Sequence, residues 1–254
     1  MQQPRQRTGS RWKRKSSPPV ASAAPGPRRP GIRAPPDRPP AARVASIAGA
    51  CSACLTCLRL CSAGAILLEG GKPRIDSSSC QGCGICAAEC PAGAIVLSWP
   101  GLGELAAEVQ AALAPGTGRA EAVEPAGSEL VVFACSHCGS TAVERSSLFF
   151  PPGTRVIGVP CVGSVDESLI LKAVSLGARG IILAGCREGQ CHYGAGPERA
   201  RKRVERVRAI LAQLGTEEVT VSVMGLTPDR ASLLVETLAA MSSAAEARVC
   251  AGGQ

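Results

Sequence analysis

Residues 51–61 read Cys51-Ser-Ala-Cys54-Leu-Thr-Cys57-Leu-Arg-Leu-Cys61, and residues 80–91 read Cys80-Gln-Gly-Cys83-Gly-Ile-Cys86-Ala-Ala-Glu-Cys90-Pro91. Eight cysteines thus fall into two copies of Cys-x2-Cys-x2-Cys-x3-Cys. Three thiolates two residues apart cap three irons of a cubane, and the fourth cysteine of each run ligates the other cluster. Cys51, Cys54, Cys57 and Cys90 are therefore expected on one 4Fe-4S cluster, and Cys80, Cys83, Cys86 and Cys61 on a second. Four-cysteine zinc sites instead pair two Cys-x2-Cys knuckles separated by about a dozen residues or more.

The copies match beyond their cysteines. Cys61-Ser-Ala-Gly-Ala-Ile-Leu-Leu answers Cys90-Pro-Ala-Gly-Ala-Ile-Val-Leu, which implies a duplicated half-domain with pseudo-twofold symmetry. The stretch resembles bacterial-type ferredoxins, and the resemblance implies a small α+β ferredoxin-like domain. Ser62 stands where the second copy has Pro91; neither is a ligand, so the difference touches local rigidity only. Short strands are expected at Val44-Ala-Ser-Ile47, Ile66-Leu-Leu68, Pro73-Arg-Ile75 and Ile95-Val-Leu97, with Gly70-Gly71 as a turn. Metal bound only by the folded state supplies folding free energy that so small a core lacks.

Outside this run, composition divides the 254 residues unequally. Fourteen cysteines without a signal-peptide pattern point to a reducing, cytoplasmic setting, where clustered cysteines bind metal more often than they form disulfides. No apolar run is long enough to span a bilayer. The formal charge of +8 invites a nucleic-acid reading, yet eleven of the 28 basic residues and a single acid, Asp37, lie at or before Arg43. The rest of the chain holds seventeen basic and nineteen acidic residues, which disfavours a nucleic-acid partner. Residues 1–42 hold ten of the 20 prolines and no apolar periodicity, so they are expected to be disordered. Arg11-Trp-Lys-Arg-Lys15 is the centre of any basic arm they offer to an acidic surface or anionic lipid.

Beyond Ile95-Val-Leu97 the period changes. Leu102, Leu105, Ala106, Val109, Ala112 and Leu113 recur at helical spacing, Pro115-Gly116 ends that helix, and residues 117–127 read as a linker. Strands are then expected at 129–134, 154–159, 180–184 and 219–224. Helices are expected at 140–147, 166–176 (ended by Gly177), 197–214 (Pro at the first turn, Gly215 beyond) and 229–241. Such alternation argues for an open α/β domain with a parallel sheet, of flavodoxin- or Rossmann-like type. The domain limits that result are 1–42 tail, 43–100 ferredoxin-like domain, 101–128 helix and linker, 129–242 α/β domain and 243–254 C-terminus.

Five further cysteines come after the first three strands of this half: Cys135 and Cys138, then Cys161, then Cys186 and Cys191. Loops at the carboxyl ends of parallel strands lie together, so these thiols are expected to converge. Four thiolates hold a 2Fe-2S or a 4Fe-4S cluster, leaving one cysteine spare or an alternate ligand. Zinc remains open, and Cys135-x2-Cys138 alone is also a thiol-disulfide pattern. His137 and His192 flank these cysteines, either as ligands of a Rieske-type site or as hydrogen-bond donors to sulfur. Cys250 lies away from any strand end and reads as a spare thiol. Arg199, Arg201, Lys202, Arg203, Arg206 and Arg208 are placed on the outer faces of helix 197–214, as a solvated face or a steering surface for an acidic partner.

Three motifs carry a second resemblance. Phe133-Ala-Cys135-Ser-His-Cys138, the run from Pro151 to Asp166 around Cys161, and Ala184-Gly-Cys186-Arg-Glu-Gly-Gln-Cys191-His192-Tyr193 resemble the iron-sulfur (delta) subunit of methyl-viologen-reducing hydrogenase over residues 130–241. The resemblance implies a 2Fe-2S cluster drawing its ligands from Cys135, Cys138, Cys161, Cys186 and Cys191. It also implies a cytoplasmic electron-transfer subunit between a hydrogenase or formate dehydrogenase and a heterodisulfide-reductase-like flavoprotein. A subunit of this kind turns over no substrate by itself, and no Gly-x-Gly-x-x-Gly after a strand, phosphate loop or nucleophile-base pair is present. The competing readings are a zinc-stabilised non-redox interaction protein whose tail recruits nucleic acid, and a thiol-disulfide or iron-sulfur scaffold protein working through Cys135 and Cys138. Deletion of residues 1–42 is expected to leave a chain without salt-dependent DNA binding in a titration across salt concentrations, whereas an interaction protein of that kind would retain it.

Overall fold

A computed structural model describes residues 44–98, 100–113, 129–216 and 218–251. The basic tail, the Pro115-Gly116 helix end, the 117–127 linker and the side chain of Cys250 lie outside the described residues.

The cysteine-rich N-terminal part is built from two small antiparallel sheets. Strand β1 (Ala45–Ile47) pairs with β4 (Ile95–Leu97), and β2 (Ile66–Glu69) with β3 (Lys72–Ile75). Gly70 and Gly71 close the second hairpin with φ of 56° and 78°, a left-handed pair that side chains resist. Between the sheets lie two short helices, α1 (Thr56–Leu60) and α2 (Ile85–Ala88), one in each copy of the repeat. The apolar core here is slight: Ala45, Ile66, Ala87, Ile95 and Leu97, with Cys57 buried among them.

Helix α3 (Leu102–Leu113) leads to a four-stranded parallel sheet of order β6-β5-β7-β8. Its strands are β5 (Glu129–Cys135), β6 (Thr154–Val159), β7 (Ala178–Cys186) and β8 (Thr220–Leu226), and its connections are α4 (Cys138–Ser146), α5 (Glu167–Ser175) and α6 (Gly196–Gln213), with α7 (Ala231–Ala251) last. Side chains alternate across a strand, and β5 shows the result. Val131, Phe133 and Cys135 face a core shared with α3, α5 and α6, whereas Leu130, Val132 and Ala134 face one shared with Ala142, Val143, Leu234 and Leu238 of α4 and α7. With both faces covered, the central strands are apolar without interruption from Leu130 in β5 and from Gly180 in β7, which is the parallel-sheet pattern. Leu105, Val109 and Leu113 of α3 are buried in the first of these cores, so α3 packs with the α/β part.

Element ends differ from the expected ones for local reasons. Helix α4 starts at Cys138 rather than at residue 140, because the Ser140 and Thr141 hydroxyls both donate to the His137 carbonyl and draw the first turn back. Helix α7 runs ten residues past Met241, through a stretch with neither glycine nor proline. Arg203 requires a larger correction. Placed by its charge on an outer face of α6, it is only 1 % exposed. No helix among the described residues is long and apolar enough to cross a membrane.

Helix α5 opens on Asp166, whose Oδ1 accepts from Leu169 N at 2.8 Å. Asp166→Ala is expected to cost about 1 kcal/mol, read as a lower urea midpoint at unchanged slope.

Candidate iron-sulfur centres

Three cysteines spaced by two can point into one space only if the chain between them turns tightly. It does so through left-handed residues at matching positions, Ala53 (φ 53°) and Leu55 (φ 58°) in the first copy, Gly82 (φ 63°) and Gly84 (φ 76°) in the second. Glycine adopts this conformation freely, whereas each non-glycine carries roughly 1–2 kcal/mol of strain. Backbone N–H groups are turned inward, and Ala53 N donates to Cys51 Sγ at 3.4 Å. The repeat is reproduced at its fourth cysteines, where Ala65 N donates to Cys61 Sγ and Ala94 N to Cys90 Sγ, both at 3.3 Å.

Cys61 crosses to the other copy, lining one cavity with Cys80, Cys83 and Cys86. Burial first, then the neighbouring sulfurs, push Cys83 up to about 11 and Cys86 to about 12. Burial likewise raises Cys57, with Cys51 and Cys54 adding to it. Cys54 is exposed and is lowered by hydrogen bonding to Thr56. Cys90 packs against the same small core as Cys61, Cys80 and Cys86.

In the α/β part the five strand-end cysteines converge. Cys135 and Cys186 end β5 and β7, the neighbouring central strands; Cys138 opens α4, Cys161 comes just after β6, and Cys191 lies in the loop before α6. Cys186 is central. It shares hydrogen bonds with Cys135, Cys191, His192 and Cys138, and these lower it well below the usual thiol range. The partners move oppositely: the bond to Cys186 raises Cys135, and burial followed by that bond pushes Cys138 up to about 11. Cys161 is lowered by its hydrogen bond with Cys191, which is raised in turn. Gly139 N donates to Cys135 Sγ at 3.2 Å and Gly163 N to Cys161 Sγ at 3.5 Å.

The two histidines separate. His192 Nδ1 lies 3.6 Å from Cys186 Sγ, and the Cys138, Cys186 and His192 ligand atoms are all within 4.8 Å of one another. His137 lies one layer out, stacked on His192 with centroids 3.9 Å apart, its Nε2 3.2 Å from the Tyr193 hydroxyl. All thirteen described cysteines are free thiols. Crowded sulfurs of this kind are the complement of a thiophilic cation, whose binding expels the remaining thiol protons.

Gly196, the first residue of α6, is a site residue that motif reading did not find. A Cβ there would overlap Cys161 Sγ and lie 3.1 Å from Cys191 Sγ. Its only sequence signal is its place immediately before the helix-opening Pro197.

A family model described as methyl-viologen-reducing hydrogenase, delta subunit, matches residues 130–247, and a 4Fe-4S binding domain model matches residues 72–95. The vhc iron-sulfur subunit of the F420-non-reducing hydrogenase of Methanococcus voltae is 37 % identical over 96 residues, 37 % of this chain and 67 % of that protein. The chain belongs to the methyl-viologen-reducing hydrogenase delta-subunit family. Other relatives of this delta-subunit chain include the corresponding iron-sulfur subunit of the F420-non-reducing hydrogenase of Archaeoglobus profundus, 35 % identical over 35 % of this chain and 66 % of its own length. One subunit of the ferredoxin:CoB-CoM heterodisulfide reductase of Methanosarcina mazei is 31 % identical over 35 % of this chain and 12 % of its own. In this delta-subunit member the 4Fe-4S match adds the N-terminal part to the shared α/β part.

Replacing Gly196 with alanine is expected to remove iron from the α/β part while the cysteine-rich part keeps its own. Iron and sulfide analysis would show a partial, not total, loss. Loading with cobalt(II) is expected to release protons and to weaken as pH falls, because Cys83 and Cys86, raised to about 11 and about 12, must ionise to bind; pH-stat titration measures both.

Proposed function

We propose that the chain is a non-catalytic electron-transfer subunit of an oxidoreductase complex. Two 4Fe-4S clusters are assigned to Cys51, Cys54, Cys57 and Cys90 and to Cys80, Cys83, Cys86 and Cys61. A third, of the 2Fe-2S type, draws on Cys135, Cys138, Cys161, Cys186 and Cys191. The observation that carries this reading is adjacency: Gly84, next to Cys83, lies against Ser164 in the turn after Cys161, where an added Cβ would come within 2.7 Å of Ser164 Cβ. The parallel sheet of the α/β part has the order β6-β5-β7-β8, and in open α/β sheets ligands sit where the order reverses. That point lies between β5 and β7, whose ends carry Cys135 and Cys186.

Bound clusters supply reversible one-electron chemistry. The protein's residues supply burial and inward N–H donors from Ala53, Ala65, Ala94, Gly139 and Gly163, which favour added negative charge on sulfur. The names of the relatives support two kinds of partner, a hydrogenase and a heterodisulfide reductase; the proposal takes the second as a flavoprotein complex, a formate dehydrogenase as the variant in the hydrogenase's place, and the cytoplasm as the setting.

Anaerobic purification is expected to give a coloured protein with iron, acid-labile sulfide and an EPR signal on reduction; colourless protein with stoichiometric zinc would sink the proposal. Cys161→Ser and Cys186→Ser separate the relay from a thiol-disulfide enzyme working through Cys135 and Cys138. On the relay reading at least one of them bleaches or alters the third spectrum, whereas the enzyme reading leaves activity intact in both. Co-purification from the native host would name the partners.

A further inference from the structure

The two cysteine runs are copies, so positions at which they differ show what one copy does that the other does not. Aligned by their cysteines, Leu55 corresponds to Gly84, Leu60 to Glu89, and Ser62 to Pro91. Gly84, Glu89 and Ser62 all touch the α/β part.

Gly84 lies against Ser164 in the turn after Cys161, where an added Cβ would come within 2.7 Å of Ser164 Cβ. A leucine, as at the matching position of the first copy, does not fit. The next residue, Ile85, meets Gly163 of the same turn, and a Cβ on Gly163 would be 2.9 Å from both Ile85 Cγ1 and Gly196 Cα. Glu89, 18 % exposed, accepts from Arg203 Nη2 at 2.5 Å. The guanidinium also donates to the carbonyls of Gly163 and Val165, which bracket Ser164. Its charge is buried and each described partner belongs either to α2's C-terminus or to the Cys161 turn. Ser62 Oγ donates to the Tyr193 carbonyl at 3.0 Å, two residues beyond Cys191. A proline, as at position 91, has no donor to offer there.

We infer that Glu89, Arg203 and Ser62 are positioning residues that hold the Cys61, Cys80, Cys83 and Cys86 ligand set against the Cys161 and Cys191 loops. This set, not its copy, is thereby the one that adjoins the α/β site. The inference rests on the proposed function only in taking both sets to carry clusters; the junction itself is made by protein atoms alone. It makes the order of the ligand sets a built feature rather than an effect of tethering through the linker.

The test uses the full anaerobically reconstituted chain with Glu89→Gln and, separately, Ser62→Pro. The second restores the residue of the matching copy and is therefore compatible with that copy's fold. Amide exchange at residues 84–89 and 162–165 is expected to accelerate together, on the order of tenfold or more in Glu89→Gln because a buried guanidinium loses its counter-charge, at unchanged iron content. In the reduced protein the magnetic interaction between the two adjoining sites is expected to weaken in parallel. Exchange that accelerates in neither variant overturns the inference. Should wild-type protein contain zinc instead of iron, the relay reading fails, while the exchange measurement still decides the junction.

Discussion

A cluster site gathers its sulfur ligands into one small space, and thiolates so gathered repel one another in a medium that solvates them poorly. Both halves of the chain are shaped by that constraint. The cysteine-rich part meets it with tight left-handed turns and inward N–H groups, accepting strain at Ala53 and Leu55. The α/β part meets it with a sheet: strands supply rigid ends, and the loops beyond Cys135, Cys161 and Cys186 need only short reaches to place the remaining thiols. Raised thiols at Cys83, Cys86, Cys135, Cys138 and Cys191 are the residue of that constraint in the apo chain.

The second theme is broken symmetry. Duplication produces two equivalent ligand sets, but a chain with a third site on one side has no use for equivalence. Substituting glutamate, glycine and serine at three positions of the repeat places only one set at the junction. Buried ion pairs add little net stability compared with apolar packing, because desolvation offsets attraction, but breaking one is costly. The Glu89–Arg203 pair therefore specifies one arrangement more than it strengthens the fold, and the close approaches at Gly84, Gly163 and Gly196 leave little room for another.

Much of this was legible in the residues. The cysteine spacing in the first run has few other chemical uses, and the positions of Cys135, Cys161 and Cys186 at strand ends are readable because strands 129–134, 154–159 and 180–184 contain the unbroken apolar runs 130–134, 156–159 and 180–184. Boundaries shifted where side chains cap or extend, as at Ser140 and Thr141. His137 and His192 were indistinguishable by position, since each neighbours a cysteine, and only the stacking of one on the other shows which lies beside sulfur.

Sequence by itself determined the elements, the parallel α/β class of the second half and the candidate ligands, because hydrophobic period and cysteine spacing are local properties of the chain. Tertiary structure alone decided that Arg203 is buried rather than presented to a partner, that Gly196 must lack a side chain, and that Ser62 differs from Pro91 for a reason. The physical cause is common to all three: whether a charge, a missing Cβ or a hydroxyl matters depends on what faces it, and what faces these residues includes groups 35 to 131 residues away.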